Sequence, residues 1–404
     1  MELRADRLER LGNYFSRLTD EGKIPGWSAM VSQHGETVYE SSGGMANIAA
    51  GIPMTADSIF RTWSLSKPMT SVAFMRLVEE GLVGLNDPVA DYLPAFRDQR
   101  VYRAGLPAAP ITEGLVEPMR MWHLLTHTAG LGYGAHQSHA VDTLYVNDGY
   151  TVEPPAGTDL AEAVEKWASF PLRFQPGTAW NYGVSTDVLG RVIEVVSGKR
   201  LDTFMRESFF EPLGLKDSGF RVEARNKDRY AEIYTPTADG GIEHNPAASA
   251  YPTEAPLFLS GGGGIYTTVA DYMKFLNMLA CNGRIGDGSG AEHYLSPLTV
   301  ESIRSNHLPQ NVTLGSGFGS WAVPAVNELM PAAGFGLGFM TVRSPQEAHL
   351  LTREGEYFWL SMSSANFFVD PASGVCALVS PQLYPSRTLP ITNRLRQFVY
   401  QAYC

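Results

Sequence analysis

Strand-like runs stand at both ends of this chain, and most of what lies between them has helical spacing. Near the start, Trp27 to Val31 and Glu36 to Tyr39 form two short runs around Gln33-His34-Gly35, a hairpin pattern. Near the end, Glu356 to Met362, Ala365 to Val369 and Val375 to Val379 repeat the type, with Asp370-Pro371-Ala372-Ser373-Gly374 as the turn between the last two. Leu3, Leu8, Leu11, Phe15 and Leu18 predict an opening amphipathic helix, and Leu389 to Tyr403 a closing one. From about Ser58 to Leu279 helical patterns dominate, broken by Pro- and Gly-rich loops. Few strands at each end and helices between them predict an α+β fold. One antiparallel sheet, flanked by helices, is built from both chain termini and carries an inserted, mainly helical region. The expected division is a discontinuous sheet domain, 1–60 with 260–404, and a helical domain, 61–259. The long polar loop from Gly132 to Gly157 is the kind of excursion that borders an active site.

The composition fits an enzyme of this size. Hydrophobic residues make up 44% of the 404, charged residues 18%, and the net charge is −11. The basic residues do not cluster, which argues against nucleic acid or an anionic membrane as partner. No run of eighteen apolar residues appears, so no membrane span is expected. The N-terminus is charged from its second residue, and Cys281, Cys376 and Cys404 are odd in number and far apart. Both features lead to an expectation of cytoplasmic residence with free thiols. The number of subunits is left open.

The strongest local pattern is Ser64-Leu65-Ser66-Lys67, the one Ser-x-x-Lys in the chain. Met69, Val72, Ala73 and Leu77 follow as a buried helix face, and Gly81 is placed to end the helix. Ser64 is therefore expected at a helix N-terminus, where backbone N–H groups favour developing negative charge. Lys67 lies one turn on, on the same face, within reach of the serine. A desolvated lysine can take the serine proton or orient another base. An ordinary capping serine before a solvent-facing lysine has the same four letters, so the tetrapeptide alone decides nothing.

Its neighbours decide. Leu124-Leu125-Thr126-His127-Thr128-Ala129-Gly130-Leu131 follows, then Pro176-Gly177-Thr178-Ala179-Trp180-Asn181-Tyr182-Gly183 and Glu211-Pro212-Leu213-Gly214-Leu215. Ser260-Gly261-Gly262-Gly263-Gly264-Ile265 and Asp370-Pro371-Ala372-Ser373-Gly374 complete the series. From about residue 20 to 400 these motifs resemble the serine β-lactamase-related family of class C β-lactamases, penicillin-binding proteins and family VIII carboxylesterases. The resemblance implies Ser64 as acylated nucleophile, Lys67 as its partner and Tyr182 as the proton-exchanging tyrosine. Two positions depart from the family. Val184 stands where its Tyr-x-Asn motif has asparagine, and no Lys-Thr-Gly follows, since Lys274 is the last lysine. Trp359-Leu360-Ser361 resembles the Trp-Gly-Gly of family VIII esterases, while an alternative register puts Arg353-Glu354-Gly355 on the third motif and would supply a cation.

The expected activity is hydrolysis of short-chain or aryl carboxylic esters through a Ser64 acyl-enzyme. The oxyanion would be held by backbone N–H groups of Ser64 and Met362, with Trp359, Ser361, Tyr133 and Val184 around the substrate. The alternatives are a β-lactam or D-amino-acid amide hydrolase, an acyltransferase, or a non-catalytic penicillin-binding-like protein. No cofactor is implied. His123 and His127 have metal-pair spacing but no third ligand, Gly261 to Gly264 lack the Gly-Lys-Ser/Thr of a phosphate loop, and no Gly-x-Ser-x-Gly occurs. The expected partner is a small-molecule ester.

Overall fold

A computed structural model describes residues 2–286, 291–315, 329–386 and 388–404. The opening helix, Ala5–Asp20, buries Leu8, Leu11, Phe15 and Leu18. It leads into strands Gly26–Gln33 and Glu36–Asn47 and the two-residue Ile52–Pro53. Five more strands come from the far end of the chain: Ala333–Phe335, Met340–Val342, Tyr357–Leu360, Asn366–Asp370 and Val375–Ser380. Together they make one eight-stranded sheet, antiparallel throughout, in which Gly26–Gln33 lies between Glu36–Asn47 and Val375–Ser380. Ser28 opposite Ser380 and Val31 opposite Ala377 set the register where the two ends of the chain meet.

Gly26–Gln33, Asn366–Asp370 and Val375–Ser380 are buried along their whole length, because helices cover both faces. The opening helix and the closing one, Ile391–Tyr400, pack on one face, and Val269–Ala280 packs on the other. Apolar runs without alternation are what such a doubly covered strand requires.

Three expectations change. The second strand runs to Asn47 and not to Tyr39, since its Ser- and Gly-rich second half pairs with Gly26–Ser28. A side chain at Gly43 would meet the Trp27 indole at 3.0 Å, so close backbone packing, and not a turn, explains that glycine. Inside the helical region, Arg100–Leu106 and Ala109–Gly114 pair as a hairpin that helical reading had not foreseen. The Gly132–Gly157 excursion likewise holds a helix, Ala140–Asn147, capped by His139, whose ring nitrogen accepts from the Val141 N–H.

Under the sheet, Glu356 and Arg396 form a buried ion pair at 2.7 Å. Tyr400 and Thr352 donate to the other carboxylate oxygen, at 2.7 and 2.9 Å. Such a pair gives little net stability, but breaking it strands a charge. Arg396→Met alone is expected to cost about 3 to 5 kcal/mol by urea titration. Glu356→Leu with Arg396→Met should recover most of that loss; a single variant as stable as the parent would refute the account.

Candidate active site

Ser64 is half-buried in a single 3₁₀ turn, Trp63–Leu65, from which the Ser66–Glu79 helix continues. It therefore stands just ahead of the helix and not as its first residue. Trp63 has φ 47°, in the left-handed region that bulky residues seldom occupy. This sharp turn is tied down from behind. The Thr62 hydroxyl donates to the Ile265 carbonyl at 2.7 Å, and the Ile265 N–H donates to Ser66 Oγ at 3.1 Å. The Thr70 hydroxyl donates to the Gly261 carbonyl at 2.8 Å.

The Ser66–Glu79 helix is buried on nearly every side, so Lys67 is carried into the interior. Its Nζ donates to the Gly262 carbonyl at 2.8 Å and stands 4.6 Å from the centre of the Tyr182 ring. Tyr182 OH and Ser64 Oγ are hydrogen-bonded at 2.7 Å. The three residues singled out from sequence thus meet at one point: a hydroxyl pair with a buried ammonium on the phenol's face.

The cavity at Ser64 is lined by Arg61, Trp63, Lys67, Tyr133, Val152, Glu153, Asp187, Ser260, Gly262, Gly263 and Met362. Tyr133 and Met362 are among the residues expected there. Trp359, Ser361 and Val184 are not on that wall. Trp359 is buried behind Tyr182, ring centres 5.8 Å apart, and Ser361 turns its hydroxyl to Ser363 at 3.1 Å. Val184 is buried at the start of the Ser185–Ser197 helix.

Arg353 is excluded from the cavity. Its guanidinium pairs with Asp370 at 3.5 Å and lies over the Tyr403 ring. Tyr357 pairs with Val369 and Leu360 with Asn366, so residue 370 and residue 362 sit at opposite ends of this strand pair. Met362 is at the cavity end and Arg353 at the other, which rules out the Arg353-Glu354-Gly355 register.

Sequence reading missed Arg61, Trp63, Val152, Glu153 and Asp187, and noted Ser260, Gly262 and Gly263 only as part of a motif, with no place at the site. Arg61 and Trp63 flank the nucleophile closely enough for their position to have marked them. The guanidinium stacks 3.7 Å from the centre of the Trp63 ring and pairs with Glu153 at 2.5 Å. That ion pair ties the end of the Gly132–Gly157 excursion to the cavity wall. Asp187 carried no mark beyond its place in a helix's first turn, where acids are common.

Burial governs the site's electrostatics. Desolvation, reinforced by the nearby Lys67 charge, holds His127 well below the usual imidazole range. His136 is pushed down to about 4, again chiefly by burial. Burial raises Tyr133 well above the usual phenol range. Burial also raises the Asp187 carboxyl, against the opposing pull of Lys67 and the Ser260 hydroxyl.

Among the described residues no group of three or more His, Cys, Asp or Glu is placed to hold a metal ion. No helix among them is long and apolar enough to cross a membrane.

A sheet built from both chain ends, with a serine, a lysine and a tyrosine gathered at the start of a buried helix, defines a serine hydrolase. The chain belongs to the beta-lactamase family, whose profile matches residues 11–401. It is 31% identical to the esterase EstB of Burkholderia gladioli, an alignment covering 97% of this chain and 94% of that one. The lovastatin esterase of Penicillium rubens is 28% identical over 73% of this chain and 72% of its own. Among solved structures, simvastatin synthase from Aspergillus terreus superposes with a TM-score of 0.82 at 23% identity, covering 99% of both chains. EstCE1, described as a hydrolase with promiscuous acyltransferase activity, gives 0.80 at 24%, covering 98% of this chain and 99% of that one. These two likenesses speak for the fold alone.

Outside the cavity, buried His123 accepts the Arg120 N–H at 2.9 Å and is pushed down to about 4, mainly by desolvation. An unfolded chain protonates this imidazole near its ordinary 6.5, while the folded chain holds it neutral down to about 4. Its contribution to stability is therefore whole above that window and is lost as pH falls through it. His123→Asn keeps an acceptor for the Arg120 N–H and has nothing to titrate. From pH 7 to 5 the variant should gain about 2 kcal/mol on the parent in urea titrations; a constant difference would refute the assignment.

Proposed function

We propose that this protein is a serine carboxylesterase acting on short-chain or aryl esters by a two-step acyl-enzyme route. The observation that carries the reading is the 2.7 Å hydrogen bond between Ser64 Oγ and Tyr182 OH, with Lys67 Nζ 4.6 Å from the phenol ring. As Ser64 attacks the ester carbonyl, Tyr182 takes its proton in the phenolate form, whose negative charge the Lys67 ammonium offsets, and so becomes the phenol. Backbone N–H groups of Ser64 and Met362 hold the oxyanion. Tyr182 then protonates the leaving alkoxide, the alcohol departs, and water repeats the cycle on the acyl-enzyme to release the acid. The esterases among the relatives support this choice of substrate.

Wall chemistry favours neutral substrates. Lys67 is committed to Gly262, and Arg61 to Glu153 and the Trp63 face. A cephalosporin carboxylate would have to displace Glu153 or stay unpaired. We expect kcat/KM for p-nitrophenyl butyrate to exceed that for a chromogenic cephalosporin by at least about a hundredfold, roughly 2.7 kcal/mol. Comparable efficiencies would defeat the esterase reading. Transfer of the acyl group to an added alcohol is a second reading, favoured by relatives such as the monacolin J acid methylbutanoyltransferase of Aspergillus terreus, 24% identical over 87% of this chain and 83% of that one. Product analysis with alcohol and water in competition separates the two.

Ser64→Ala should abolish turnover and covalent labelling by a phosphonate, with the label found on Ser64 in the parent by peptide mass. Tyr182→Phe and Lys67→Ala should each lower kcat by several orders of magnitude. Because both serve one proton transfer, the double variant should lose little more. Additive losses would place only one of them in the transfer.

A further inference from the structure

Asp187 is a buried carboxylate on the wall of the cavity, and neither the Ser64–Tyr182 contact nor the oxyanion site uses it. Its Oδ1 accepts from Ser260 Oγ at 2.6 Å and from the Gly262 N–H at 3.0 Å. The carbonyl of the same Gly262 accepts the Lys67 ammonium at 2.8 Å. Asp187 and Lys67 thus hold one residue by its two backbone groups. A side chain at residue 262 would stand 2.7 Å from Asp187 Oδ2, so glycine is what allows the carboxylate to come so close. Asp187 also lies in the first turn of the helix whose start brings in Tyr182, and Val184, a turn earlier, offers no polar group there.

We propose that Asp187 is the positioning residue of this site: through the Gly262 peptide it fixes where Lys67 stands, and its negative charge sets the pH range over which the site turns over. The proposal rests on the esterase reading given above.

His127 and His136 are kept neutral by burial and do not titrate near neutral pH, and Tyr133 keeps its proton. Arg61 and Glu153 neutralise each other at the rim. Lys67, Tyr182 and Asp187 remain. Neutralising Asp187 takes a negative charge from beside the Lys67 ammonium, which disfavours the more protonated form of the site as a whole.

Asp187→Asn keeps an oxygen for Ser260 and the Gly262 N–H while removing the charge. With p-nitrophenyl butyrate, kcat should fall about tenfold to a hundredfold and KM should change less than about twofold. Both limbs of the kcat/KM–pH profile should move to lower pH by about one unit. A fall in kcat with unmoved limbs would overturn the proposal, since a purely structural role predicts that. Should the variant not fold, as judged by thermal melting, Asp187→Ser is read in the same way. Failure of both neutral variants to fold overturns the proposal in favour of a structural role. If the parent neither hydrolyses esters nor labels on Ser64, it is the esterase reading that fails. An active parent with unmoved limbs in the variant sinks Asp187 alone.

Discussion

A helix enclosed on almost every side must find a partner for each polar group it carries, and the Ser66–Glu79 helix carries several in its first turns. Ser66, Lys67 and Thr70 all meet the backbone of the turn from Gly261 to Ile265, nearly two hundred residues away in sequence. Each of these bonds would be costly to leave unmade in a dry interior. Together they fix where the helix begins, and with it the strained turn on which Ser64 stands. Gly261 and Gly262 lack side chains because Thr70 with the Thr186 carbonyl, and the Asp187 carboxylate, approach their backbone directly. Catalytic geometry here follows from the need to satisfy buried polar groups.

The same logic places the tyrosine. Asn181 Nδ2 donates to the Leu131 carbonyl at 2.8 Å, and the Asn181 N–H donates to the His127 carbonyl at 3.0 Å. The Pro176–Gly183 and Leu124–Leu131 motifs are thereby sewn together. His127, with φ 57° and its ring 5.1 Å from that of Tyr182, is a packing residue whose backbone turns the chain.

What could be seen in the sequence was whatever repeats or is punctuated. The sheet from both ends showed in its apolar runs, and the Ser64–Lys67 relation in one turn of helical spacing. Tyr182 was visible only through resemblance, as one of 18 tyrosines. Trp359 was recognised by the same route but assigned to the wrong layer, because a motif match says which strand a residue is on and not whether its ring faces the cavity or backs it. Glu153 and Asp187 were hidden for a common reason. Each acts through a contact with a distant segment, and single charges in a loop or in a first helical turn are ordinary surface features. The Arg100–Gly114 hairpin was missed because it is largely exposed, so no buried face imposes a period on its sequence.

Pairing Ser28 with Ser380 also has a consequence for how the chain comes into being. The central strand Gly26–Gln33 is synthesised well before Val375–Ser380, one of its two neighbours, which lies far along the chain. At roughly 5 to 20 residues per second, about 20 to 70 seconds separate their synthesis. Throughout that interval an apolar strand has one edge open, the situation most prone to pairing with the wrong chain. Yield on expression should therefore depend on holdase chaperones that mask this edge more than on the stability of the finished fold.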